Sequence, residues 1–274
     1  MKSNAEIRAE SLAIARGRWF WVVLGASLLL QWICQLALHL IANFNESMGV
    51  VSPAAYLTKK FEMLRQGLDY TLPTAEAYRQ MAYAGTLEVL VGYILVAVAP
   101  FGIAAVVLKA IANDRKGVIP AAFGGFARPL GVTWLLLVTN VFVSLWMLLL
   151  VIPGIVAIYR YRAVWYLKSE HPDWGALECI GESARIMRGW KAKAFMLDMS
   201  FILLALLLMI LFGVLLTVAK LVGAAFSEPV ANLVITLAYA LALMVGMFLS
   251  VWYSIARTVF YRETRDSAPC PAGS

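Results

Sequence analysis

The chain has 274 residues, of which 62% are hydrophobic and only 14% charged, and its mean hydropathy is +0.79. A soluble domain carries about 25% charged residues, and one this apolar could not cover its surface with polar side chains. The net charge of +7 would suggest nucleic acid in a soluble protein. Here most Lys and Arg fall between apolar runs of about 20 residues, so membrane topology accounts for them and no nucleic-acid partner is implied.

Ser3-Asn-Ala-Glu6 fits a capping box, and a short basic helix is expected through Arg8 and Arg16. The first span is predicted over 19–42, with Trp19, Phe20 and Trp21 at the headgroup boundary. It is too long for a signal-peptide core, and Glu6 and Glu10 precede it, so it reads as a retained anchor. Residues 44–84 are polar enough to leave the bilayer. Ser52-Pro53 and Gly67 mark the ends of a short helix carrying Leu57, Phe61 and Leu64, and Pro73-Thr74 can start a second. This loop either covers one mouth of the bundle or serves as a lid or docking element.

A second span is expected over 87–111, ended by Asp114-Arg115-Lys116-Gly117, followed by a short connection through Gly124, Gly125 and Arg128. A third runs over 130–152 and stops at Pro153-Gly154, a strong helix-breaking pair. The shorter apolar stretch 155–167, with Arg160 and Arg162, reads as a fourth span, with a re-entrant segment as the alternative. In 173–190, Leu177, Ile180, Ala184 and Met187 share one helical face, Asp173 can cap, and Trp174 and Trp190 stand at the ends. That pattern predicts an amphipathic helix in the interface plane, its apolar face in lipid or against the bundle. The fifth and sixth spans are expected over 195–225 and 230–256, and residues 263–274 as a disordered tail. The fold class is thus all-α: one polytopic membrane bundle of about six helices over 1–262, in contact with the lipid bilayer.

Charge bias orients it. With the N-terminus inside, most Lys and Arg fall in the cytosol, while Lys59, Lys60, Arg65, Arg79 and Lys220 fall outside. Both termini are therefore expected to be cytosolic.

Candidate chemistry is sparse. Cys34, Cys179 and Cys270 share no spacing and read as free thiols. His39 and His171 lie in different segments without a ligand at i+3 or i+4, so no metal, cofactor or catalytic site is expected. An enzyme would have to use carboxylates such as Glu88 or Asp198. Arg160, Arg162, Asp198, Asn140 and Gln35 fall at membrane depth, where ionisable groups mark either a solute path or a structural ion pair. Arg162 lies six residues before Lys168 and Asp198 five after Lys193, so the two are at matching depth and are expected to pair, with Arg160 as the alternative partner. Ala238, Ala242, Gly246, Ser250 and Ser254 recur every four residues and suggest close helix approach, within the bundle or in a homo-oligomer.

Several segments together resemble a bacterial membrane-protein family catalogued as domain of unknown function 975. They are Arg16-Gly-Arg-Trp19, Trp146-Met-Leu-Leu-Leu-Val-Ile-Pro-Gly-Ile155 with Tyr161, and Pro172-Asp173 with Ala176-Leu-Glu178, Ser183, Met187 and Gly189. Phe195-Met-Leu-Asp-Met-Ser-Phe201 and Phe260-Tyr261-Arg262 complete the pattern, which leaves out 44–84 and the last ten or so residues. The resemblance implies a six-span bundle of the bacterial plasma membrane and implies no activity. The expected role is a non-enzymatic scaffold or envelope accessory, alone or with another membrane protein. A transporter or channel-like carrier of a small solute or lipid is the alternative, and a membrane-embedded enzyme the third.

Overall fold

The computed structural model describes residues 2–17, 19–47, 65, 75–114, 116–224 and 228–268. Much of the expected 44–84 loop, including Ser52-Pro53, Leu57, Phe61, Leu64, Gly67 and Pro73-Thr74, lies outside the described residues, as does the chain from Pro269. The tail expected to be disordered over 263–274 is instead helical through Asp266, with Thr264 fully buried.

Apolar runs this long must satisfy their backbone groups internally, and the described residues do so with helices alone. In chain order they are α1 (Asn4–Ala15), α2 (Trp19–Ser47), α3 (Ala75–Ile111), α4 (Val118–Ala127) and α5 (Pro129–Leu149), then α6 (Val151–Arg160), α7 (Val164–Glu170), α8 (Ala176–Ile186), α9 (Lys191–Ala224) and α10 (Glu228–Asp266). Among the described residues five helices, α2, α3, α5, α9 and α10, are long and apolar enough to cross a membrane. Many of their large apolar side chains point outward, including Leu148, Leu207 and Met244, as a lipid-facing bundle requires.

Both described ends meet at one end of the bundle, where Lys2 Nζ lies 2.9 Å from Glu263 Oε1. Ser3 caps α1 as its sequence suggests, accepting from Glu6 N–H at 3.2 Å. The helix then lies along the last turns of α10, where Trp252 Nε1 donates to Ser11 Oγ at 2.9 Å. Lys109, Arg128, Lys168, Arg262 and Arg265 gather at the same end, called the basic end below.

Three expectations are corrected. First, the break after α5 falls at Leu150, in extended conformation at φ −166 and ψ 148, three residues before Pro153. Pro153 sits in the first turn of α6, where a missing N–H leaves no hydrogen bond unmade. Gly154 serves a different purpose. A Cβ there would stand 2.2 Å from Met147 Cγ and 2.9 Å from Met147 Cα, so only glycine lets α6 fold back against α5. Second, the expected fourth span is not one helix. The ten residues of α6 rise only about 15 Å. The chain then turns at residues 161–163 and continues as the seven-residue α7, buried against α3. The pair still returns the chain, because Arg128 Nη1 before α5 and Asp173 Oδ1 after α7 are 2.9 Å apart. Third, α3 begins at Ala75, inside the segment expected as loop, and the connection after it contains the helix α4. Gly102 and Gly125 let α4 lie close on α3: a Cβ at Gly102 would be 2.6 Å from Ala122 O, and one at Gly125 3.0 Å from Val98 Cγ1.

The small-residue stripe on α10 makes only part of the contact expected within the bundle. Ala238 is buried, but Ser250 is exposed, and a Cβ at Gly246 would meet nothing within 4 Å. Ser250 and Ser254 return their hydroxyls to the backbone oxygens of Met247 and Ser250. Within this chain the stripe is not a close helix contact at Gly246.

The two glycines therefore have opposite expected responses. An alanine is favoured over glycine in a helix by up to about 1 kcal/mol. Gly246→Ala should gain part of that in thermal unfolding of the purified protein. Gly154→Ala should lose about 1–3 kcal/mol instead, because Met147 Cα is backbone and cannot rotate away. A stabilised Gly154→Ala variant would mean that α5 and α6 do not meet here.

Candidate functional site

A buried polar cluster lies where α6 ends. A helix that stops leaves backbone carbonyls and amides without partners, and in a buried setting each costs about 1–3 kcal/mol. Ser183 of α8, fully buried, supplies both missing partners. Its Oγ donates to Arg160 O at 3.0 Å and accepts from Ala163 N–H at 3.2 Å. One hydroxyl thus joins the two sides of the break.

Arg162 occupies the turn itself, and its side chain is 6% exposed. Its Nη1 donates to Asp198 Oδ2 at 2.6 Å, from α9, and also to Ala194 O at 3.4 Å. The guanidinium carbon lies 5.8 Å from the ring centroids of both Tyr159 and Phe260, within cation–π range. Arg162 therefore ties the turn to α9 and α10 together. Arg160 does not join the pair. It lies over the Tyr161 ring at 5.7 Å. Of the other embedded polar residues, Asn140 Nδ2 donates to Tyr93 Oη at 3.3 Å, joining α5 to α3.

The helix expected over 173–190 is α8, shorter and rotated. Its buried face is Ala176, Cys179, Ile180 and Ser183 with Ile186 and Met187, while Leu177 is 66% exposed and Ala184 half-buried. The structure packs that face on α5 and α7. Asp173 does not cap it. It pairs with Arg128, and Glu178 closes the first turn by accepting from Gly175 N–H at 2.7 Å. Trp174 stacks on His171 with centroids 4.0 Å apart, and Lys193 lies 5.5 Å from the Trp190 ring centroid. Burial pushes the Cys179 thiol above its ordinary range, away from nucleophilic reactivity. Among the described residues no group of His, Cys, Asp and Glu converges as a metal site would need.

Two features escape sequence reasoning. Ser183 belongs to the family resemblance, but its role does not follow from it; the signal is its place on the buried face beside Cys179 and Ile180, which a register set by Leu177 hides. The other is a cavity of about 910 Å3 at the basic end, bounded by α3, α4, the start of α5, the α7–α8 connection and the end of α10. Lys109 and Arg128 come from one part of the sequence, Lys168 from a second, and Arg262 and Arg265 from a third, so no local motif announces it. Some of these cations are engaged at its rim. The Gly117 amide and the Lys109 ammonium hold the Asp114 carboxyl below the usual carboxylate range.

The ion pair makes a quantitative prediction. Removing one partner leaves a buried charge uncompensated, which costs about 3–5 kcal/mol. Asp198→Asn and Arg162→Gln should each destabilise strongly. The double variant should fall well short of their sum, with a coupling of about 0.5–3 kcal/mol in a cycle read by chemical denaturation. Ser183→Ala should cost about 1–3 kcal/mol on its own. Strictly additive effects would mean that the pair contributes nothing to stability.

Neither a curated protein nor a solved structure matches the chain. A family model described as protein of unknown function (DUF975) does, over residues 132–268, which spans α6 to α10 and nearly all of α5. That is half of the sequence and includes the break, Ser183, Arg162 and Asp198. The chain belongs to this family.

Proposed function

We propose that the chain is a multi-pass protein of the bacterial plasma membrane, with both termini cytosolic, serving as a non-enzymatic scaffold or envelope accessory. The observation that supports this reading is where the buried charges go. Arg162 and Asp198 join α6, α7, α9 and α10, and neither lines the 910 Å3 cavity or a smaller one of about 210 Å3 between α3, α7 and α10. Ionisable groups on a solute path face water or a cavity. Here Arg162 and Asp198 face aromatic rings and each other, while Arg257 of α10 lies over the Tyr253 ring and lines the smaller cavity. The sidedness is supported by the gathering of Lys and Arg at the end that holds both described termini.

A carrier is the second reading, because the large cavity is basic and suits an anion. It would still need a route across the bundle.

Two measurements test the sidedness and decide between the scaffold and the carrier, in that order. In a cysteine-free background, Arg65→Cys should react with an impermeant thiol reagent in intact cells, and Ser267→Cys only after permeabilisation. The reverse pattern would overturn the sidedness. Proteoliposomes containing the purified chain should release trapped phosphate no faster than protein-free liposomes. Faster release dependent on Arg262 would replace the scaffold with a carrier.

A further inference from the structure

The cavity at the basic end has the composition of a site rather than of a packing defect. Its floor is apolar, formed by Phe101, Ala105, Leu108 and Val132. Its polar lining is cationic: Lys109, Arg128, Lys168, Arg262 and Arg265, against one lining carboxylate, Glu170. Its volume falls in the range of about 300–1,000 Å3 typical of small-ligand pockets.

The charges do not cancel locally. Glu170 is occupied by Arg265 and by the Tyr261 hydroxyl, which donates to it at 2.6 Å. Lys109 and Arg128 have carboxylate partners, Asp114 and Asp173, that do not line the cavity. The other two cations have no carboxylate partner among the described residues. Lys168 is 8% exposed, and its ammonium donates to Pro172 O at 2.9 Å and Trp174 O at 2.6 Å, leaving its third N–H free among the described residues. Arg262 is half-buried and has no ion pair or hydrogen bond among the described residues. A buried ammonium and a half-buried, unpartnered guanidinium line one half-open pocket, where a single anion would pair with both.

The geometry favours an oxyanion with several acceptor oxygens. A phosphate can accept from the guanidinium fork and from the ammonium at once. The apolar floor of Phe101, Ala105, Leu108 and Val132 adds a place for hydrocarbon. We infer that this cavity binds a phosphate group through Arg262 and Lys168, carried by an anionic phospholipid or present as free phosphate.

The test uses the purified full chain in detergent, where membrane sidedness plays no part, so its outcome is separate from that of the topology and flux measurements. Two probes are compared: phosphatidylglycerol added in mixed micelles, with phosphatidylcholine as the zwitterionic control, and inorganic phosphate. Arg262→Gln is the informative variant, because Arg262 supports no other polar contact among the described residues and its loss should leave thermal stability unchanged. Losing one charged donor should weaken binding by about tenfold, and Arg262→Lys should recover part of it. Lys168→Met is a second variant, but it also removes two backbone hydrogen bonds and is judged only if it unfolds like the parent. Phosphatidylglycerol binding that falls in Arg262→Gln and is not displaced by millimolar phosphate supports the lipid source. Binding of inorganic phosphate that falls in the same variant supports free phosphate. Equal affinity for the two lipids with no phosphate binding, or Arg262→Gln binding as tightly as the parent, overturns the inference.

Discussion

A helix that stops in a buried setting leaves its last carbonyls and the next amides without partners unless something supplies them. The turn at residues 161–163 stops one, and the structure around it follows from how that is solved. Ser183 occupies the gap with one donor and one acceptor bond, and Arg162, forced out of helical register, finds Asp198. A straight helix over the same residues would have satisfied its own backbone. It would not have given α8 a reason to dock, nor brought an arginine to the junction of α9 and α10.

The consequences run toward the basic end. Because α8 is held by Ser183, the connection 171–175 is pinned between α7 and α8. Lys168 then draws in the carbonyls of Pro172 and Trp174, and His171 stacks on Trp174. Asp173 is left pointing out to Arg128 at the start of α5. Lys168, His171, Pro172 and Arg128, held by these contacts, line one side of the large cavity. The opposite wall depends on α4 lying close on α3, which Gly102 and Gly125 permit. A break in one helix and two glycines in another pair thus determine whether the cationic cavity exists.

Much of this was legible in the sequence. Apolar run length and charge bias are one-dimensional signals set by the thickness of the hydrocarbon core, and the long apolar runs coincide with the long helices. Helix rise alone put Arg162 and Asp198 at matching depth, and the structure sets them 2.6 Å apart. Illegible features depended on distance in three dimensions. Pro153-Gly154 marked a break, yet the break is at Leu150, because proline is tolerated in a first turn and glycine was needed for Met147. Leu177 was assigned to a face in lipid or against the bundle, whereas the face packed against the bundle is the one from which Ser183 reaches the broken backbone. Gly246 looked like a contact point, but spacing says only that a helix could approach, not that one does. The cavity joins residues from three distant segments and has no local signature.

The dependence of the fold on this junction can be read at a single amide. Ala163 N–H is bonded through the Ser183 hydroxyl, not through a helix of its own. Native-state hydrogen exchange of the protein in nanodiscs should find it protected nearly as well as the mid-helix amides of α9, and Ser183→Ala should abolish that protection while leaving α9 slow. Exchange of Ala163 at the rate of an open loop in the unaltered protein would mean that water reaches the break and that Ser183 does not hold it.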